Sequence, residues 1–167
     1  EGSRVRDPVH NFIDLTEKEV RLVATPLFQR LRRIRQLALA SLVYPGALHT
    51  RFDHTLGVCH VAGLMAKALR LEPDEERLVR LAALLHDLGL SKGHGQPVLK
   101  QIVSGPLDAD KQDYLLRDSQ FCGVQYGVFD IHQLHRSLLL VGNNEEKELA
   151  IDPDGVHALE QYALAKY

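Results

Sequence analysis

Two adjacent polar residues, His86 and Asp87, close the apolar run Leu81-Ala82-Ala83-Leu84-Leu85 and are followed by Leu88-Gly89. Burying an imidazole and a carboxylate at the end of an apolar helix is costly unless both are paired or ligate a metal. Imidazole and carboxylate together suit divalent transition ions, and a hydrolytic centre keeps positions open for water and substrate. Two further residues offer matching donors. His54 lies at a predicted helix start near Arg51, where its side chain can face a cleft. Asp110 lies in the acidic first turn of Leu107-Asp108-Ala109-Asp110-Lys111-Gln112-Asp113-Tyr114. For Asp108 and Asp110 the plainer reading is helix capping and compensation of the helix dipole. That reading serves either carboxylate but accounts for neither His54 nor the His-Asp pair.

The elements that must position these residues are helical. Thr16-Glu17-Lys18-Glu19 has the spacing of a capping box and predicts a short helix to about Ala24. Thr25-Pro26 restarts the chain as cap and first helical position. Leu27, Phe28, Leu31, Ile34 and Leu37 then recur at helical spacing, predicting an amphipathic second helix with Arg30, Arg32, Arg33 and Arg35 on its other face. A third helix opens near Arg51 and runs to about Leu69 on a stripe of Val58, Val61, Ala62, Met65 and Leu69. A fourth, on Leu78, Leu81, Ala82, Leu85 and Leu88, delivers His86-Asp87, with Gly89 placed to stop it.

Beyond it, Leu90 to Pro97 reads as a loop, and helices are predicted over Val98 to Ser104, Leu107 to Asp118 and Ile131 to Leu138. Leu139-Leu140-Val141 and Leu149-Ala150-Ile151 flank a Gly142-Asn143-Asn144 turn, which predicts a hairpin. A last helix from Pro153 meets no stop signal before Tyr167 and is expected to continue. Arg4 to Asp14 reads as extended. The expectation is an all-α fold, one domain over residues 1–167, with a small β-hairpin near 139–151.

Composition narrows the function. A formal net charge of -2 gives no electrostatic case for nucleic-acid binding, and the absence of Trp argues against a base-stacking platform. Cys59 and Cys122 have no metal-type spacing and are too few for a disulfide framework, which points to a reducing, cytoplasmic location. No apolar stretch is long enough to span a bilayer and no signal-peptide pattern opens the chain, so no membrane partner is expected. Nine histidines favour metal chemistry. Of these, His10, His49, His60, His132, His135 and His157 read as surface or satisfied core residues rather than ligands.

Five segments, in order, resemble the HD-domain metal-dependent phosphohydrolases, and within them the deoxynucleoside triphosphate triphosphohydrolase (dGTPase-like) branch. They are Asp7-Pro8-Val9-His10, the stretch from Phe28 to Leu37, Arg51-Phe52-Asp53-His54-Thr55-Leu56-Gly57-Val58, Leu85-His86-Asp87-Leu88-Gly89, and the stretch from Ser104 to Asp118. The resemblance implies an HD-domain helical bundle with a divalent metal (Mn, Fe, Ni, Co, Zn or Mg) on His54, His86, Asp87 and Asp110. It implies hydrolysis of a dNTP to deoxynucleoside and triphosphate, the metal polarising a phosphoryl oxygen and activating water. In that family the roles of His86, Asp87 and Arg51 are catalytic, Arg51 and Lys111 hold phosphates, and Gln36, Leu37, Tyr114 and Asp118 contact the nucleotide's sugar or base. A homo-oligomer is implied as well. The chemistry is reasonable, because cations neutralise a polyphosphate and a Tyr and an Asp can read a sugar hydroxyl. The plainer reading of Tyr114 is a half-buried core aromatic, and that of Asp118 is a charge pair with Arg117 or a neighbour.

Three features depart from the family pattern. Its long helical insert after the His-Asp motif, which supplies a histidine general acid, is missing at about 90–98, where only His94 stands in a Gly-rich stretch. The flanking motifs are intact, so residues absent from this sequence are expected there rather than a natural deletion. The branch's C-terminal subdomain is also missing, so residues 1–167 are expected to be the core of a longer protein. Finally, Ala24 stands where nucleotide-activated members carry an aspartate for guanine, although Gln29 and Arg32 match other residues of that allosteric site. Two alternatives stay open: hydrolysis of nucleoside monophosphates or other phosphoesters by the same site, and a nucleotide-binding regulatory domain without turnover.

Overall fold

The protein was analysed as a computed structural model, which describes residues 2–88, 97–143 and 147–166. The expected stop at Gly89, the loop with His94 and the turn residue Asn144 lie outside the described residues.

Local signals set the helix starts. Thr16 and Glu19 cap each other reciprocally and open α1 (Glu17–Val23). Thr25 caps α2 (Pro26–Gln29), with Pro26 in the first turn. The amphipathic helix predicted through Leu37 does not form. α2 passes into a 3-10 turn over Arg30–Arg33, Ile34 is extended at φ -111° and ψ 115°, and Arg35 bridges Thr50. Phe28 and Leu31 are buried while Ile34 is exposed. The apolar face finds packing partners for only its first turns, and beyond them the backbone pairs with the start of the next helix instead.

That helix, α3 (Arg51–Ala68), is the centre of the molecule and is capped by Thr50 and Asp53. Its predicted stripe of Val58, Val61, Ala62, Met65 and Leu69 is buried. α4 (Pro73–Leu85) packs along it and ends in a 3-10 turn, His86–Leu88. The predicted inner face of α4 is corrected: Leu78 and Ala82 are exposed, and the buried residues are Val79, Arg80, Ala83 and Leu84. Arg80 turns inward because Glu19 of α1 meets its guanidinium at 2.7 and 2.8 Å. A paired buried cation thus rotates the helix relative to the leucine pattern.

The remaining helices are α5 (Pro97–Val103), α6 (Ala109–Cys122), α7 (Ile131–Arg136) and α8 (Val156–Lys166). Asp108 caps α6, and Gly123 at φ 69° ends it in the left-handed conformation that favours glycine. Two small antiparallel hairpins complete the fold. The predicted one pairs β3 (Leu138–Val141) with β4 (Glu148–Ile151), Leu139 opposite Ala150. The N-terminal stretch read as extended also folds on itself, pairing β1 (Ser3–Asp7) with β2 (Asn11–Leu15), Val5 opposite Ile13. The main core gathers around α3, and a smaller cluster of Leu115, Phe129, Leu134, Ala158 and Tyr162 joins α6, α7 and α8.

Candidate metal centre

Three elements converge on one point. The first turns of α3 carry His54, the 3-10 turn after α4 carries His86 and Asp87, and the first turn of α6 carries Asp110. His54 Nε2 lies 3.0 Å from Asp110 Oδ1; His86 Nε2 lies 3.9 Å from the same oxygen and 3.6 Å from Asp87 Oδ1. Among the described residues, His54, His86 and Asp87 offer ligand atoms all within 4.8 Å of one another. The two imidazoles meet edge to face with centroids 5.3 Å apart. His54 is not cleft-exposed, as its position at a helix start suggested, but 1% exposed. Asp110 is the more open partner.

Both histidines are held from behind. His86 Nδ1 donates to the Ala83 carbonyl at 2.6 Å, and His54 Nδ1 meets Asp113 Oδ2 at 2.8 Å. An imidazole whose Nδ1–H is occupied presents the Nε2 lone pair. His86 Nε2 is buried and makes no hydrogen bond among the described residues. A buried imidazole nitrogen left open beside two carboxylates, in a mixed N/O donor set, fits a divalent transition ion.

The electrostatics favour a cation here. Burial pulls the His54 imidazole down, but its hydrogen bonds to Asp110 and Asp113 outweigh burial and hold its pKa at about 9. Burial pushes the Asp110 carboxyl up, yet His54 outweighs it and leaves Asp110 below the usual carboxylate range.

The residues expected around this point fall into two groups. Arg51 stands at the rim, its guanidinium 3.9 Å from Asp87 Oδ2 and its Nε buried without a partner among the described residues. Lys111 is turned away: its Nζ lies 2.5 Å from Asp108 and 3.0 Å from the Gly105 carbonyl. Capping therefore accounts for Asp108, which also accepts from the Lys111 N–H, whereas Asp110 faces His54. Tyr114 is half-buried against the smaller core cluster. Asp118 does not pair with Arg117; it meets His49 Nε2 at 2.8 Å. The Gln36 N–H donates to the His49 carbonyl at 3.1 Å, and Gln36 Oε1 and His49 Nδ1 are both buried without partners among the described residues. His49 thus meets Asp118 through its ring and Gln36 through its backbone, with Leu37 next to Gln36 in the chain and half-buried.

Four residues with no role in the sequence reading lie behind His54. Asp113 also binds His10 Nε2 at 2.6 Å and takes two 2.9 Å hydrogen bonds from Arg117, which reaches Asp7 at 2.8 Å. The signal for this group was the spacing of Asp110, Asp113 and Arg117, which places all three on one helix face. A cavity of about 370 Å³, lined by Arg6, Ala24, Gln29, Arg32, Phe52 and Asp53 among others, opens on a different face of α3 from His54. No helix among the described residues is long and apolar enough to cross a membrane, and both cysteines are free.

Comparison with known proteins places this geometry. Residues 51–121 match the family model of the HD domain. An uncharacterized protein of Methanocaldococcus jannaschii is 32% identical over 98% of this chain, which spans 44% of that protein. The human deoxynucleoside triphosphate triphosphohydrolase SAMHD1 is 44% identical over 92 residues, 51% of this chain and 15% of that protein. The crystal structure of a phosphohydrolase from Bacteroides thetaiotaomicron matches with a TM-score of 0.89 at 29% identity, covering 99% of this chain and 52% of that one. The chain therefore spans about half the length of the relatives it matches from end to end. The matched segment begins at the first residue of α3 and carries His54, His86, Asp87 and Asp110, and over it the chain has the fold of an HD domain.

Proposed function

We propose that the protein is a divalent-metal-dependent nucleotide phosphohydrolase that converts a dNTP to a deoxynucleoside and inorganic triphosphate. The observation that carries this reading is the convergence of His54 Nε2 and His86 Nε2, each with its Nδ1 held, on Asp87 and Asp110. A divalent ion (Mn, Fe, Ni, Co, Zn or Mg) held by these four residues would polarise a phosphoryl oxygen and make water nucleophilic near neutral pH.

The chain's own residues bind and orient the substrate. Arg51, partly exposed beside Asp87, takes the phosphates, as a planar guanidinium suits paired phosphoryl oxygens. Lys111 joins it by exchanging Asp108 for a phosphate. Asp118 accepts a hydrogen bond from a sugar hydroxyl, with Gln36, Leu37 and Tyr114 completing the sugar and base side. The similarity of half the chain to a protein named as a dNTP triphosphohydrolase supports this substrate class. The exposed Leu39, Leu42 and Val43 support assembly into a homo-oligomer. Two free cysteines support a reducing, cytoplasmic setting.

The test is metal analysis of purified full-length protein together with chromatography of the products. The expected result is a bound transition metal and release of deoxynucleoside with triphosphate. Intact dNTP after incubation with Mn, Fe, Co, Ni and Mg in turn would overturn the reading. Release of free phosphate from a nucleoside monophosphate, with dNTP left intact, would identify a phosphomonoesterase.

A further inference from the structure

Asp113 is fully buried, and each of its oxygens meets two donors. Oδ2 meets His54 Nδ1 at 2.8 Å and Arg117 Nε at 2.9 Å; Oδ1 meets His10 Nε2 at 2.6 Å and Arg117 Nη2 at 2.9 Å. Rotating this carboxylate breaks four hydrogen bonds in a place with no solvent to replace them. Arg117 is itself fixed by Asp7, at 2.8 and 3.3 Å, from the N-terminal hairpin 110 residues away. Gly57 of α3 leaves the space the group occupies, since a Cβ there would collide with Asp113 Oδ1 and Arg117 Nη2.

We propose that Asp113 is a positioning residue of the metal site, holding His54 in the Nδ1–H form with Nε2 turned toward Asp110, and that Arg117, Asp7 and His10 hold Asp113 in turn. The N-terminal hairpin is thereby part of the metal site although it contributes no ligand. This inference rests on the metal reading above. A carboxylate behind a ligating imidazole fixes its orientation and raises its basicity, and losing such a partner typically costs about 10–100-fold in metal affinity. The rival role is a purely structural ion pair, for which the molecule supplies its own comparator in Glu19–Arg80, also buried and joined by two hydrogen bonds.

The experiment uses full-length protein freed of metal and titrated with Zn²⁺ by calorimetry. Asp113→Asn is expected to weaken Zn²⁺ binding about 10–100-fold, whereas Glu19→Gln lowers stability and leaves Zn²⁺ affinity unchanged. If the wild type binds no Zn²⁺, the metal reading fails and this inference with it. If the wild type binds and Asp113→Asn binds equally well, the inference alone is overturned. A measurement on the wild type makes the result independent of whether the variant folds. Imidazole ¹⁵N NMR of the Zn²⁺-loaded protein is expected to show His54 protonated at Nδ1, and a His54 protonated at Nε2 overturns the proposal.

Discussion

Gly57 of α3 faces Asp113 of α6 with no room for a side chain: a Cβ on the glycine would fall on the carboxylate Oδ1. Glycine inside a helix is unfavourable by about 1 kcal/mol relative to alanine, so propensity alone would make Gly57→Ala stabilising. Overlap with a fully buried, four-fold bonded carboxylate reverses the sign. Gly57→Ala is expected to destabilise the protein by about 1–3 kcal/mol and to weaken metal binding, because the displaced carboxylate is the partner of His54. Urea unfolding and Zn²⁺ calorimetry read the two effects, and a variant as stable as the wild type would contradict the packing argument.

Among the described residues His86 makes one hydrogen bond, to the Ala83 carbonyl, in a half-buried turn after α4 has ended. His86→Ala or Asp87→Ala should therefore abolish metal binding and activity while far-UV circular dichroism stays close to wild type. Parallel loss of helix and metal would show that the pair serves the fold.

Arg51 stands at the rim of the site and, among the described residues, bonds no core side chain. Arg51→Ala is expected to weaken nucleotide binding about tenfold or more, the worth of one charge-assisted hydrogen bond, with bound metal unchanged. Equilibrium binding of a non-hydrolysable dNTP analogue, beside metal analysis, checks both halves.

His49 holds Asp118 at 2.8 Å and stacks on Phe121 at 4.8 Å between centroids. Removing it frees the carboxylate assigned to the sugar. His49→Ala should raise KM for a dNTP by about tenfold without changing Zn²⁺ affinity. A changed metal affinity with constant KM would place His49 in the metal network instead.

Burial pushes the Glu19 carboxyl up, but hydrogen bonds from Arg80 and Thr16 outweigh it and set its pKa below the ordinary value. Since the unfolded pKa is about 4.3, the unfolded chain takes up the proton first as pH falls. The stabilisation is complete above that value and is lost as pH falls through the lower, folded one. Wild-type stability should thus fall in acid. Glu19→Gln should be less stable at pH 7 by about 3 kcal/mol and less sensitive to acid, the remaining slope coming from groups such as Asp113, also held low. Urea midpoints at pH 7 and pH 4 compare the two, and identical pH slopes would refute the linkage.

Whatever acts within a few residues was legible in the chain itself. The caps at Thr16 and Thr25, the buried stripe of α3, the hairpin of β3 and β4 and the polar pair ending α4 follow from spacing and turn chemistry, which operate over one or two helical turns. What the tertiary structure decided was the pairing of buried charge. Arg80 turned the face of α4 toward Glu19, 61 residues away, and Asp118 found His49, 69 residues away, rather than its neighbour Arg117. Likewise Asp113 became the support of His54, 59 residues away, and Arg117, its neighbour on α6, met Asp7 only where the N-terminal hairpin lies against that helix. A leucine pattern reports which residues avoid water, but a buried ion is stable only beside its partner, and that partner comes from wherever the fold brings it.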